Sequence, residues 1–462
     1  MMCKTAGNPA KCAGCPAGVL PRRLVAHVDC RWSSRTMMTW RGRFLCLALL
    51  AGWAGLTSCG GGGDGSTTNF VSQPSNLGQP RAGLSQAEME AFERGKIVFM
   101  KDFKPSEGLG PLYNSTSCRS CHSTPVPGGS SPRYRNFYIT AIGPPGLQFP
   151  IPGLPSVVVP AYGQGPHLLA TFNLQGRRTA IPDTFFGAPV ATTQRNAIPI
   201  FGVGLFETIS DAVIMSNADP NDADGDGISG RYNTDQGALG RFGVKAQANN
   251  IELFTRAPLQ NQMGITSNPF QGSAGTVSLR RYGHFNALQA STDPNDPTTD
   301  NDGVPDPEMS TQDLGDLIAF TRFLAPPQRK AFGPAETHGE QIFDQVGCTK
   351  CHIPSLMGSE GPVEAYTDLL LHDMGPALSD GVSFGVPQLS TIDPVPESSG
   401  DEFRTQPLWG VSLTAPYLHD GQADTLVEAI ILHGGEADAA RQAFLQLSPP
   451  DQGDLVLFLE AL

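Results

Sequence analysis

The sequence is short of charged residues, and the basic ones are the scarcer kind. Charged side chains make up 16% of its 462 residues, with 31 Lys and Arg against 44 Asp and Glu and a net charge of −13. Eight of the basic residues and one acidic residue fall within the first 58 positions, so the remainder carries a net charge of −20. A surface of this sign repels nucleic acid and favours basic protein partners.

Long apolar runs are also missing. Near the N-terminus the run 44–56 is shorter than the roughly 20 residues that a membrane span needs. It follows basic residues and leads into L-T-S-C, which ends at Cys59. We therefore interpret residues 37–58 as a lipoprotein signal peptide and Cys59 as the lipid-modified residue, with a transmembrane anchor as the alternative. The chain would then be exported, facing the periplasm, and held to a bacterial membrane only by lipid.

Two N-terminal segments are not expected to belong to the folded domains. Residues 1–36 are basic and patternless, and we treat them as a doubtful extension ahead of a start at Met37 or Met38. Residues 59–83 begin with a glycine run and read as a flexible tether.

No cysteine is left over for an ordinary thiol function. Of ten cysteines, four lie in residues 1–36, Cys46 lies in the signal, and Cys59 is the proposed lipid site. The remaining four are Cys118, Cys121, Cys348 and Cys351. All four belong to the two motifs discussed next, which excludes a further disulfide, thiol nucleophile or separate zinc site.

The same motif, C-x-x-C-H, occurs as CRSCH at 118–122 and as CTKCH at 348–352. In an exported protein it is typical of covalent haem c attachment. Cysteines three residues apart lie on one side of a helical turn, and the next residue presents imidazole to iron. We predict two covalently bound haem c groups, with His122 and His352 as proximal ligands. One four-cysteine zinc site leaves both histidines unexplained, and a dithiol redox site lacks its surrounding βαβ pattern.

One motif falls in each half, and a chain of this length exceeds what one core usually organises. We predict an N-terminal haem domain over 84–328 and a C-terminal cytochrome c domain over 329–462. The fold class is mainly α, with two cytochrome c-like haem domains and minor β. The 53 Gly and 40 Pro predict long irregular loops.

Capping patterns mark several helices. Ser85 with Glu88 predicts a helix to Met100, and Thr337 with Glu340 predicts another before the second motif. TQDLGDLIAFTRFL and the segment after Ser448 read as the closing helices of the two halves. Beyond the two motifs, we detect no internal repeat.

A second axial ligand decides between electron transfer and catalysis. His433 ends a helix capped by Thr425, with Leu426, Ala429 and Ile430 on the same inward face. It is our candidate for the second haem, with a satisfied core histidine as the alternative. His167 and His284 lie in loop-like sequence, so we expect an open distal position at the first haem.

Aspartate-rich loops form a third constellation. Asp222, Asp224 and Asp226 alternate before Gly227, as in calcium loops, but the twelfth position holds Asn233 instead of Glu. A second loop has a similar series of aspartates, at Asp300, Asp302 and Asp306. Calcium binding is one interpretation, and a solvated Asp/Gly turn is the other.

Longer segments carry a family resemblance that spans about residues 84–462. They are GLGPLYNSTSCRSCH, DADGDGISGRYN, LGRFGVKAQ, DLLLHDMGPALSD and EFRTQPLWGVSLTAPYLHDGQADTLVEAIILHGGEA. In this order they resemble the di-haem oxidoreductase family, also labelled thiol oxidoreductase. That family is related to bacterial di-haem cytochrome c peroxidases and to MauG enzymes.

The resemblance implies roles for residues of this chain. His122 would belong to the catalytic haem and His352 to the electron-entry haem. His433 falls where relatives have a distal Met or Tyr, which implies a lower potential for that haem. Val244 stands where relatives have an inter-haem Trp. Gln262 stands where they have an acidic residue, so Glu252 or a water would have to carry the proton.

The resulting expectation is reduction of hydrogen peroxide, or another small oxidant, with electrons from a small periplasmic donor protein. One alternative is a MauG-like or dioxygenase-like oxidase of another substrate. The second is a non-enzymatic di-haem electron carrier. A thiol oxidoreductase function has no support from the residues, because no free cysteine remains.

Overall fold

The computed structural model describes residues 76–110, 113, 115–131, 136–142, 149–150, 184–185, 188–235, 238–267, 303–381 and 398–462. Within them the helices are α1 (Gln86–Met100), α2 (Asp211–Met215), α3 (Ile251–Met263), α4 (Thr311–Phe323), α5 (Pro334–Gln345), α6 (Leu426–Leu432), α7 (Asp438–Gln446) and α8 (Pro449–Ala461). The strands are β1 (Asn136–Ile142), β2 (Phe149–Pro150), β3 (Thr184–Phe185), β4 (Ala188–Asn196), β5 (Thr234–Asp235), β6 (Ala238–Leu239), β7 (Leu356–Gly358), β8 (Gly361–Val363), β9 (Leu371–Asp373) and β10 (Glu402–Arg404).

Capping residues start most of the predicted helices where expected. Ser85 and Glu88 form a reciprocal capping box at the start of α1, which confirms that prediction. The predicted cap at Thr337 is wrong, because α5 begins three residues earlier, after Gly333. Pro334 occupies its first turn, where a fixed φ and a missing N–H cost nothing. The Thr337 hydroxyl instead donates to the Gly333 carbonyl at 2.9 Å.

Each half contains a pair of crossing helices, and the two pairs make the same kind of close contact. In the first pair, α1 crosses α4 at Gly95, where an added Cβ would lie 1.8 Å from the backbone oxygen of Asp316. In the second, α5 crosses α8 at Gly339, where a Cβ would lie 2.0 Å from the backbone oxygen of Asp454. Both crossings therefore bring helix backbones into direct contact, which only glycine allows.

This duplication corrects the expectation that no repeat exists beyond the two motifs. From Ser310 and from Ser448 the chain shares the pattern S-x-x-D-x-G-D-L-x-x-F-x-x-x-L. Both serines cap their helices by accepting the N–H of the aspartate three residues on. Sequence analysis missed the pattern because the residues between the shared positions differ.

Apolar side chains gather into two core clusters. The second packs around Phe343, Phe444, Phe458 and their neighbours. The first extends beyond the first half, since it includes Leu356, Leu370 and Trp409. All described residues belong to one compact unit, so the halves share packing; the boundary after residue 328 stays a prediction. No described helix is long and apolar enough to cross a membrane.

Minor β-structure accompanies the helices, as predicted. The largest described sheet has the order β2-β1-β4-β3, with β1 and β4 antiparallel and Asn136 opposite Asn196. Its strands were not located from sequence. Residues 149–150, the described part of the proline-rich stretch after residue 143, form the two-residue strand β2.

The glycine crossings generate a stability prediction. Gly95→Ala and Gly339→Ala should each lower the free energy of unfolding by about 1–3 kcal/mol, because the methyl groups meet fixed backbone. Gly315→Ala and Gly453→Ala are matched controls on the partner helices, since nothing lies within 4 Å of an added Cβ there. We expect these controls to be neutral or stabilising by up to about 1 kcal/mol. Calorimetric unfolding of the haem-loaded protein measures all four, and equal effects at crossing and control sites would contradict the close-crossing account.

Candidate haem sites

The first motif forms a tight turn that presents a neutral imidazole. A 3-10 turn spans Cys118–Ser120, and the backbone N–H of His122 donates to the Cys118 carbonyl at 3.0 Å. His122 Nδ1 lies 3.2 Å from the carbonyl oxygen of Gly129. A carbonyl only accepts, so Nδ1 carries the proton and Nε2 keeps its lone pair for a metal. Burial lowers the pKa of His122, which favours the neutral form.

The second motif repeats this arrangement. Its turn spans Cys348–Lys350, and the N–H of His352 donates to the Cys348 carbonyl at 2.9 Å. His352 Nδ1 donates to the Tyr366 carbonyl at 2.9 Å, which again leaves Nε2 free. Burial lowers the pKa of His352 to about 4. The ring lies 6.2 Å from that of Phe343, just as His122 lies 6.3 Å from Phe99.

The thiols fit haem attachment better than zinc. Cys118, Cys121, Cys348 and Cys351 are all free of disulfide bonds. Burial raises the pKa of Cys118 and of Cys348 to about 12, whereas zinc requires thiolates. Each turn therefore offers a pair of cysteines and one neutral imidazole, the donor set that covalent haem c needs.

His433 lies close to the second motif. It caps the C-terminus of α6, where Nδ1 donates to the Ala429 carbonyl at 2.7 Å. Burial lowers its pKa as well, and its charge is close enough to help depress the pKa of His352. Leu426 and Ile430 pack against the second core, as the predicted inward face requires. His433 ligation of the second haem stays a prediction that this placement supports.

Sequence analysis missed a buried histidine next to the second motif. His372 is 3% exposed, with Nε2 2.8 Å from Asp368 and Nδ1 2.7 Å from Glu436. Burial disfavours its charge, but the Asp368 carboxylate and the other partners raise its pKa well above the usual value. Nδ1 also lies 3.7 Å from Cys351 Sγ. His372 thus links the motif to Glu436, three residues beyond His433, and no spacing in the sequence signals this contact.

The aspartates of the first loop are grouped differently from the prediction. Carboxylate oxygens of Asp219, Asp222 and Asp224 all lie within 4.8 Å of one another. Asp226 instead pairs with Lys350 of the second motif at 2.9 Å. Asp219 was missed because it precedes the alternating pattern. In the second loop Asp300 and Asp302 fall outside the described residues, as do His167, His284 and Cys59.

Asp306, the described member of that second loop, accepts a hydrogen bond from the Thr266 hydroxyl at 2.6 Å.

Helix α3 carries both candidate catalytic residues and brings one of them, Gln262, to the segment that enters the first motif. The Gln262 carbonyl accepts the N–H of Ser115 at 3.2 Å, three residues before Cys118. Glu252 accepts two hydrogen bonds from Arg256, at 2.9 and 2.6 Å. Gln262 is therefore beside the segment that enters the motif, and Glu252 is held in an ion pair one helix length away.

The chain is similar to several known proteins. Residues 177–462 match the family described as "Di-haem oxidoreductase, putative peroxidase". Over 137 residues the chain is 31% identical to cytochrome c551 peroxidase of Pseudomonas aeruginosa, a match covering 29% of this chain and 35% of that protein. The aligned part is thus about a third of that relative's length.

Two solved structures resemble the chain at low identity. The diheme peroxidase BthA from Burkholderia thailandensis matches at 19% identity, covering 84% of this chain and 87% of that one, with a TM-score of 0.38. A MauG-like protein associated with microbial copper homeostasis matches at 17% identity, covering 84% and 93%, with a TM-score of 0.34.

The two motifs generate a prediction on cofactor content. Protein made with haem-maturation machinery should hold two covalent haems, and C118A/C121A or C348A/C351A should each retain one, because each cysteine pair anchors its own group. Intact mass and pyridine haemochrome spectra count the haems, and elemental analysis should give two iron and no zinc. One zinc for four cysteines, or loss of both haems from either variant, would contradict independent sites.

Proposed function

The chain belongs to the di-haem oxidoreductase family, and on this premise we propose that this oxidoreductase reduces hydrogen peroxide with electrons from a small redox protein. The supporting observation is an asymmetry between two otherwise equivalent sites. Among the described residues, a further buried imidazole, His433, is close enough to His352 to help lower its pKa, and none is recorded in this way for His122. The site at His352 is thus suited to electron transfer, and the site at His122 to binding an oxidant.

Other described histidines have side-chain contacts of their own. His338 pairs with Asp454, and His419 stacks on Phe403 with 4.4 Å between ring centroids. His372 lies between its two carboxylates. No described histidine is thereby assigned as a second ligand opposite His122, which supports an open distal position.

Bound haem supplies the iron that accepts and passes single electrons. His122 Nε2 and His352 Nε2 would hold the two haem irons, because each Nδ1–H donates to a backbone carbonyl and leaves Nε2 free. Cleavage of hydrogen peroxide to two waters consumes two electrons and two protons. A positioned side chain must therefore deliver protons at the first site.

We assign proton delivery to Glu252 and substrate positioning to Gln262. A Gln side chain hydrogen-bonds but cannot shuttle a proton, and Glu252 is the acidic residue of α3. Its side chain pairs with Arg256, and in this role it accepts a proton from water and passes it on. Arg256 also donates to Ser267 at 3.1 Å, so the pair is held from two sides.

We propose two cytochrome c-like haem domains, 84–328 and 329–462, built on the duplicated helix pairs. The net charge of −20 beyond residue 58 favours a basic donor protein. The lipoprotein signal would place the enzyme on a bacterial membrane, facing the periplasm.

Calcium binding at Asp219, Asp222 and Asp224 is a further part of the proposal, supported by the convergence of their carboxylates. The ion would brace the loop that also ties Asp226 to Lys350 of the second motif. Elemental analysis after dialysis should then find one calcium per chain, and none if the loop is a solvated turn.

The proposal predicts a distinct spectroscopic response of each haem. The oxidised or half-reduced protein should show one high-spin iron whose EPR signal is lost on peroxide addition, since the first site lacks a strong second ligand. The second iron should stay low-spin in the wild type and become high-spin in His433→Ala. Two low-spin irons that ignore peroxide at every redox level would leave an electron carrier. A peroxide-reactive iron without peroxide turnover would favour a MauG-like oxidase of another substrate.

A second prediction addresses the proton path. Glu252→Gln should lower kcat for peroxide about 100-fold, the usual scale for a positioned acid or base. Gln262→Ala should mainly raise KM, and Gln262→Glu should raise kcat in the Glu252→Gln background by restoring a carboxyl group. Steady-state oxidation of a reduced cytochrome measures these effects at unchanged haem content. Normal turnover in Glu252→Gln would reject the assignment.

A further inference from the structure

Tyr366 presents the carbonyl that accepts the Nδ1 proton of His352, and its own backbone is unusual. Its φ is 53°, in the left-handed region that a residue with a large side chain rarely adopts. At the first motif the accepting carbonyl belongs to Gly129, which has no side chain. A tyrosine keeps a left-handed conformation only where its surroundings fix it. The contacts of the Tyr366 side chain therefore help to fix this carbonyl.

The phenol of Tyr366 lies between two side chains of charged type. Its oxygen accepts a hydrogen bond from Arg329 Nη1 at 3.1 Å and donates one to Glu340 Oε1 at 3.2 Å. The residue is 3% exposed, and burial raises its pKa to about 12, so the hydroxyl keeps the proton that it donates. Hydrogen bonds to such partners are stronger than those between neutral groups.

The ring of Tyr366 belongs to the second core. It meets the rings of Phe343 and Phe458 edge to face, with centroids 6.2 and 5.7 Å away. The Phe343 ring in turn lies beside that of His352. The side chain is thus anchored twice, by the packing of its ring and by the hydrogen bonds of its hydroxyl. Replacement with phenylalanine removes the second anchor and keeps the first.

Arg329 belongs to the segment between α4 and α5, where the chain passes from one half to the other. At the next residue, the N–H of Lys330 donates to the Ala461 carbonyl at 2.8 Å, which fastens this segment to the end of α8. Glu340 lies within α5. The hydroxyl therefore ties the loop that holds His352 to two parts of the fold, the connecting segment and α5.

We propose that Tyr366 is a positioning residue of the second haem site: its doubly bound hydroxyl fixes the carbonyl that accepts from His352 and so keeps the potential of that haem low. The inference rests on the proposed function, in which this haem passes electrons to the other. A hydrogen bond from Nδ1–H makes the imidazole a stronger donor to iron. A stronger donor stabilises ferric iron, so a low potential here favours electron transfer towards the haem that binds the oxidant.

The test is the midpoint potential of each haem in the fully loaded protein, measured by spectroelectrochemical titration. Tyr366→Phe should raise the potential of the His352 haem and leave that of the His122 haem unchanged. The equilibrium constant for electron transfer from the first of these haems to the second should fall at least threefold. Tyr417→Phe is the matched control, because it removes another phenol of the second half whose pKa burial raises to about 12.

Two variants of Glu340 separate the hydrogen bond from the charge. Glu340→Ala and Glu340→Gln both remove the carboxylate, but only glutamine can still accept a hydrogen bond from the phenol. The potential of the His352 haem should therefore be higher in Glu340→Ala than in Glu340→Gln. Both variants leave Tyr366 in place, so they test the inference independently of how well Tyr366→Phe folds.

A rise confined to the His352 haem, in Tyr366→Phe and in Glu340→Ala, supports the positioning role. An unchanged potential in Tyr366→Phe, an equal rise in Tyr417→Phe, or equal potentials in the two Glu340 variants overturns it. Peroxide turnover of the wild type is measured separately. Normal turnover with an unchanged potential in Tyr366→Phe rejects the positioning role alone, whereas peroxide-inert haems reject the proposed function.

Discussion

The hydrogen bond from each motif histidine to a backbone carbonyl is the contact on which the rest of the site depends. It fixes the tautomer, because a carbonyl accepts only the proton on Nδ1, and so leaves the Nε2 lone pair available to bind a metal. The two carbonyls, of Gly129 and Tyr366, belong to loops and not to helices. Those loops must be held in place by the packing around them, which explains why two short helix pairs are accompanied by so much ordered irregular chain.

Buried charges join residues of the two halves. Arg195 pairs with Asp380, and Lys245 Nζ lies 3.4 Å from the same carboxylate and 3.0 Å from the carbonyls of Ser399 and Gly400. Burial lowers the pKa of Lys245 to about 7. Such pairs add little net stability because desolvation offsets the attraction. They act through geometry: a shifted arrangement of the halves would leave a buried charge without its partner.

Local features of the site could be predicted from sequence, and long-range ones could not. The two motifs, the cap at Ser85 and the inward face of α6 depend on residues within about one helical turn, where spacing determines contact. The Asp368–His372–Glu436 group, the pairing of Asp226 with Lys350 and the stack of Phe206 on Trp409 join residues distant in sequence. The helix-pair repeat was also not predicted, because the residues between its shared positions differ.

The protein environment of His433 also bears on the direction of electron flow. Imidazole in place of thioether lowers the potential of a haem, and electrons move spontaneously towards the higher potential. With His433 as second ligand, the His352 site would be the reducing partner and would pass its electron to the site where peroxide is bound. This order of potentials requires His433 to stay in place. Two contacts help to hold it: the Ala429 carbonyl accepts a hydrogen bond from His433 Nδ1, and His372 hydrogen-bonds to Glu436 on the following turn. His372 also lies close to Cys351 Sγ. One buried ion cluster therefore contacts both the second motif and the segment that follows His433.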